Sequence, residues 1–153
     1  MKLGLEGRSV LVMAGSKGIG LASAQAFHAA GAEVSLCARG AAALEAAAAS
    51  MPGALAIRAD AADPADIARV VAAAAARFGP VEVLVNNMGG PPAGLFEALD
   101  DAAWSAAVDG TLMSAIRATR AVLPGMRAAR WGRIVNISSS GVRQPVPGLT
   151  LSN

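Results

Sequence analysis

The chain has 153 residues, 54% hydrophobic and 16% charged, with a formal net charge of +2. That composition describes a packed globular domain and excludes a disordered segment, while 3% aromatic content without interleaved basic residues argues against nucleic acid as a partner. The mean hydropathy of +0.48 comes largely from alanine-rich tracts, and no apolar run is long enough to cross a bilayer, so no membrane partner is expected.

The first eight residues, MKLGLEGR, lack the apolar stretch and small-residue cleavage site of a secretory leader, which makes a cytoplasmic location the expectation. A strand is predicted over 9–14, where the run Val10-Leu11-Val12-Met13-Ala14 breaks into the turn Gly15-Ser16-Lys17-Gly18-Ile19-Gly20, followed by a helix over 19–30. Glycines at such a turn let the backbone N–H groups of a new helix approach a pyrophosphate, and the positive end of the helix dipole favours the anion. Taken alone the turn is weak evidence, since chains also turn sharply for no other reason.

The alternation continues with strands predicted over 33–38, 54–59, 81–86 and 133–138. Helices are predicted over 41–50, 64–78 and, as one long element, 101–130, with Gly31, Gly53, Gly79 and Gly132 as stops. Cys37 reads as a buried strand residue rather than a reactive thiol, and His28 as a helix-surface histidine; no metal site is visible. Regular β-α alternation implies a parallel sheet covered by helices on both faces, one domain over 1–153, with a ligand at the carboxyl ends of the strands. Asp60, Asn86-Asn87 and Ser138-Ser139 all fall on that rim.

These residues resemble the short-chain dehydrogenase/reductase family, in particular its 3-oxoacyl-(acyl-carrier-protein) reductase branch. The anchors are the turn at 15–20, Asp60, Asn86-Asn87-Met88-Gly89, and Gly132-Arg133-Ile134-Val135-Asn136-Ile137-Ser138-Ser139. The resemblance implies a three-layer Rossmann-type doubly wound α/β sheet, here five strands in the order 3-2-1-4-5, incomplete at the C-terminus. It implies that Gly15, Ser16, Lys17, Gly18, Ile19 and Gly20 hold a cofactor pyrophosphate, that Asp60 and Ala61 meet the adenine, and that Asn87, Met88 and Gly89 line the adenosine ribose and the space beside it. Asn86 is expected to tie adjacent strands. Lys17 in the turn and Arg39 just past the second strand, where NAD-specific relatives carry an acidic residue, favour NADP(H) over NAD(H), because a 2′-phosphate needs cations.

The chain departs from the family pattern at several places. Met13 and Ala14 stand where a threonine and the first glycine are usual, with Gly15 expected to supply the flexibility from the neighbouring position, and Met88 replaces an alanine. Of the family's catalytic set, Ser139 takes the place of the serine that orients a carbonyl, Thr111 that of the helical asparagine, and Ser152 that of the proton-donating tyrosine; the chain contains no tyrosine. A serine hydroxyl is a far weaker acid than a phenol and reaches less far. Leu151-Ser152-Asn153 resembles a branch of the family with a degenerate glycine turn and Leu-Ser-Asn at the tyrosine position.

The expected partner is a small-molecule carbonyl or acyl substrate, with an acyl-carrier protein as its carrier a further option, and the resemblance implies a homo-oligomer, dimer or tetramer. Arg117, Arg120, Arg127, Arg130 and Arg133 read as a solvated or subunit-contact face. Three readings follow: an NADP(H)-dependent oxidoreductase, a nucleotide-binding pseudoenzyme, and an interaction module built on the long helix.

Overall fold

A computed structural model describes residues 3–153; Met1 and Lys2, the start of the N-terminal segment read above, lie outside the described residues. Strands β1 (Ser9–Val12), β2 (Glu33–Ala38), β3 (Leu55–Arg58), β4 (Val83–Asn86) and β5 (Arg133–Asn136) form one sheet in the order β3-β2-β1-β4-β5. Every pairing in it is parallel. The order reverses between β1 and β4, and a parallel sheet opens a crevice at such a point.

Strand side chains alternate between faces, which explains why the apolar runs carry two cores. Val10 and Val12 join Val34, Leu36, Val83 and Val85 beneath α1 (Gly18–Ala29) and α2 (Ala41–Ala49). Leu11 and Met13 join Cys37, Ile57 and Leu84 beneath α3 (Pro64–Phe78) and α5 (Ser114–Ala128). Helix α3 starts cleanly because Asp63 accepts a hydrogen bond from the Ala65 amide at 2.8 Å and Pro64 occupies the first turn. It stops at Gly79, whose φ of +81° a helix cannot continue.

Strand β4 starts two residues later and β5 ends two residues earlier than expected, and two further expectations need correction. Strand β1 ends at Val12 rather than at residue 14, because Ala14 has turned to a φ of +47°. The helix expected over 101–130 consists of α4 (Asp101–Val108), a π turn at Asp109–Met113, and α5. Gly110 is a poor helix former, and hydroxyls draw the carbonyls of the turn out of the normal ladder. The Thr111 hydroxyl donates to the Ala107 carbonyl at 2.6 Å, and the Ser114 hydroxyl to that of Gly110 at 2.8 Å.

The last strand, β5, is a sheet edge, with Val135 in it and Ile137 just beyond it exposed. Among the described residues no helix is long and apolar enough to cross a membrane.

Candidate cofactor and substrate site

The turn after β1 is held by contacts that leave no room for larger groups. The Asn87 side-chain amide donates to the carbonyls of Met13 and Ala14, at 3.4 and 3.2 Å. A Cβ on Gly20 would collide with the Ala14 carbonyl oxygen and stand 2.6 Å from the Asn87 amide nitrogen, so only glycine fits. Gly15 is also required for space, since a Cβ there would lie 2.8 Å from the Leu36 Cβ. It does not supply the left-handed residue as expected: Ala14 itself adopts that conformation, at a cost of about 1–2 kcal/mol. Lys17 then caps α1 without a side-chain hydrogen bond, and no acidic residue stands in the first turn, which leaves the amides of the helix start available to an anion.

A cleft of about 790 Å³ runs from this turn along the strand ends. Ser16, Lys17, Ile19, Arg39, Asp60, Ala61, Asn87, Met88 and Gly89 all line it; Gly15, Gly18 and Gly20 do not, two of them because they are packed into the turn. Gly40, Gly89 and Gly90 border open space, each with nothing within 4 Å of a notional Cβ. Uncapped amides, two cations and an open channel suit the pyrophosphate and ribose of a dinucleotide. At the far end, Asp60 is shaped by its own loop. Its carboxylate accepts from the Ala62 amide at 3.0 Å, and its amide donates to Asp66 at 2.7 Å. That amide, with the Arg69 guanidinium at 2.6 Å, holds the Asp66 carboxyl below the usual carboxylate range.

Cys37 reaches the floor of this cleft, with its sulfur 3.6 Å from that of Met13. Burial pushes its thiol up to about 11, outweighing an opposing hydrogen bond from the Ala14 backbone, so the group stays protonated and inert at neutral pH.

A second cleft, of about 810 Å³, shares Ile19, Asn87, Met88, Gly89 and Thr111 with the first and continues towards β5. Ser139 and Ser152 line it together with Thr111. The structure thus brings the three candidate catalytic hydroxyls to one cavity, though two are engaged elsewhere. Ser139 accepts from the Gly141 amide at 3.1 Å, capping a short 3-10 turn, and Thr111 is tied back to its own helix. Asn86 donates to the Asn136 side chain at 2.8 Å and to Thr119 at 3.2 Å, joining β4 to β5 and α5. Its own Oδ1 faces no hydrogen-bond partner among the described residues. Met88 packs against the α3/α5 core while lining both clefts.

One arginine read as a surface cation is not one. Arg117 forms an ion pair with Asp109 at 2.8 Å and donates to the Ala62 carbonyl at 3.1 Å. Sequence reasoning also passed over Gly90-Pro91-Pro92 and Arg120 as lining residues. The Gly89-Gly90-Pro91-Pro92 run following a strand was a legible turn signal; nothing local marked Arg120.

This architecture, with its glycine turn at the reversal of strand order, defines the doubly wound, Rossmann-type α/β class. The chain belongs to the short chain dehydrogenase family, whose model matches residues 8–151, and within it to a ketoreductase-like branch. It is 34% identical to the 3-oxoacyl-(acyl-carrier-protein) reductase FabG of Escherichia coli K12 over 142 residues, 90% of this chain and 57% of that protein. Among solved structures, L-sorbose reductase from Gluconobacter frateurii, complexed with NADPH and L-sorbose, matches with a TM-score of 0.95 at 32% identity, over 100% of this chain and 60% of its own. The ligand-free short chain oxidoreductase of Pseudomonas aeruginosa PAO1, described as containing an atypical catalytic center, matches with a TM-score of 0.90 at 30% identity, over 97% and 59% of the two chains. The chain spans little more than half the length of the curated relatives it matches.

Proposed function

We propose that this chain forms the NADP(H)-binding part of an oxidoreductase that moves a hydride between the nicotinamide and a carbonyl or alcohol, with an acyl or other small carbonyl compound as substrate. The observation that carries the reading is the cationic end of the first cleft. Lys17 and Arg39 both line it, neither forms an ion pair among the described residues, and the one carboxylate of the lining, Asp60, is engaged with its own loop. A 2′-phosphate there gains two charge-assisted contacts that NAD(H) cannot make. The NADPH-bound relative supports the choice. In this reading the glycine turn, braced by the Asn87 amide, holds the pyrophosphate, Asp60 and Ala61 meet the adenine, and Asn87, Met88 and Gly89 line the ribose and the space beside it.

The test is titration with NADPH and NADH, read by cofactor fluorescence and by melting temperature. A ligand at a hundred times its Kd raises native stability by about 2.7 kcal/mol. NADPH is expected to bind about tenfold or more tightly than NADH, and Arg39→Asp to abolish that preference. An unchanged NADPH affinity in Arg39→Asp sinks the assignment.

A second reading, nucleotide binding without turnover, is favoured by the engaged hydroxyls of Ser139 and Thr111 and by Ser152 at a position where a tyrosine would be the acid. Turnover of a carbonyl panel separates it from the first. For self-association, the exposed row Trp104, Val108, Leu112 and Ile116 along α4, the π turn and α5 offers an apolar face to a second copy, which sedimentation at several concentrations tests.

A further inference from the structure

We infer that Arg117 is a positioning residue that ties the base end of the first cleft to the π turn at the entrance of the second, so that loading one end stiffens the other. The inference rests on the nucleotide-binding reading above and assigns a new role within that site.

Arg117 projects from α5 with its side chain 21% exposed, and its guanidinium meets two acceptors from different parts of the chain. One nitrogen lies 2.8 Å from the Asp109 carboxylate, at the first residue of the π turn. The other donates at 3.1 Å to the carbonyl of Ala62, a residue distant by 55 in sequence. Ala62 belongs to the loop after β3, lines the first cleft, and gives its amide to the Asp60 carboxylate. Thr111, two residues beyond Asp109, lines both clefts. An unbroken polar chain therefore runs from Asp60 through Ala62, Arg117 and Asp109 to the turn that carries Thr111.

The chemistry of the link is specific to arginine. A planar guanidinium presents donors in fixed, divergent directions and can hold a carbonyl and a carboxylate at once, whereas a lysine ammonium is a single point charge on a flexible stem. The pair contributes little to stability, since the Asp109 side chain is 48% exposed and exposed ion pairs are weak. Its consequence is geometric. A π turn has a close alternative in the regular helix, with one residue fewer in its loop of hydrogen bonds, and an element with two arrangements is what a remote contact can bias. Fixing the Ala62 carbonyl from the nucleotide side fixes the guanidinium, and through Asp109 the arrangement that sets Thr111 at the mouth of the second cleft.

The experiment is hydrogen–deuterium exchange on the whole chain, with adenosine 2′,5′-bisphosphate as the probe because it fills only the base end. In the unaltered protein the probe is expected to slow exchange at residues 60–63 and, beyond its reach, at 109–114. In Arg117→Met it should slow 60–63 alone, with affinity reduced by about fivefold through the reciprocal side of the same coupling. Arg117→Lys should fail to restore the remote protection. Asp109→Asn, a mild change at an exposed residue, should weaken it and serves where Arg117→Met does not fold. Remote protection persisting in folded Arg117→Met, or missing from the unaltered protein when the probe binds, overturns the inference. Failure of the probe to bind at all overturns the nucleotide reading instead. The ligand-free comparison then decides the link, which stands if exchange at both segments rises together in the variant and falls if neither changes.

Discussion

Strands β1 and β5 are both four residues long and both begin a rim of the site, yet their surroundings are opposite. Every residue of β1 is buried between β2 and β4 and between two helical layers, whereas β5 has one neighbour and three of its four residues exposed. The turn after β1 is accordingly locked by backbone contacts with Gly20 and Asn87, while the segment after β5 carries Ser138 and Ser139 exposed on a loop. The glycine-turn end of the clefts is thus built into the sheet, and the Ser139 end is left on its least supported margin. A strand pattern specifies pairing in both cases; neighbours alone decide how rigidly the following loop is held.

The most severe way to break that contrast is truncation within the two strands. Leu11→Ala opens a cavity in a fully buried position and should cost about 2–5 kcal/mol, whereas Val135→Ala, at a residue 41% exposed, should stay within about 0.5 kcal/mol, both read by urea unfolding. Equal losses would show that β5 is supported as firmly as β1. Next comes Gly20→Ala, which forces apart the β1 turn and Asn87. It should cost about 1–3 kcal/mol and remove NADPH binding, followed by fluorescence.

A third effect follows from Cys37, on β2 beside β1. Its folded pKa, about 11, is raised above the 9.0 of a free thiol, so the native state holds a proton that the unfolded chain releases first. The resulting stability is fully present below pH 9 and lost as pH rises towards 11, by roughly 2–3 kcal/mol in all. Unfolding measured across that window should show the decline in the parent chain and a flatter profile in Cys37→Ala. The smallest change sharpens the comparison from the other direction. Ala14→Gly relieves the left-handed strain at the end of β1, offset in part by the freer unfolded chain, and should stabilise by about 1 kcal/mol in thermal melts. A loss instead would mean that the alanine methyl contributes packing that outweighs the strain.

What the sequence disclosed follows the same divide. Strand positions were legible because a strand covered on both faces must be an apolar run, their order only through the family resemblance, and the turn at 15–20 because only glycine tolerates such close approach. The lining of the first cleft followed from motif positions at the strand ends. Ala14 misled, since an alanine at positive φ has no signature of its own and the adjacent Gly15 offered a simpler account. Arg117 misled for a different reason: its partner carbonyl lies 55 residues away, and helix spacing shows only that it is one arginine among several. The π turn depends on hydroxyl–carbonyl pairs within a segment that propensity alone reads as continuous helix.

The bond between Asn87 and the Ala14 carbonyl spans 73 positions of chain, and that distance orders events in time. During synthesis the turn at 15–20 emerges long before its amide partner, so α1, β2 and β3 can assemble with the turn tied to β2 through the Gly15 amide and the Cys37 carbonyl but with the Met13 and Ala14 carbonyls still without the Asn87 amide. Closing it awaits the arrival of β4, and contacts of such long range are late and slow to form. A nascent chain halted before residue 87 should therefore possess much of the sheet and an incompletely fixed turn, so that under the proposed function nucleotide capture would report β4 docking as well as the glycine turn itself.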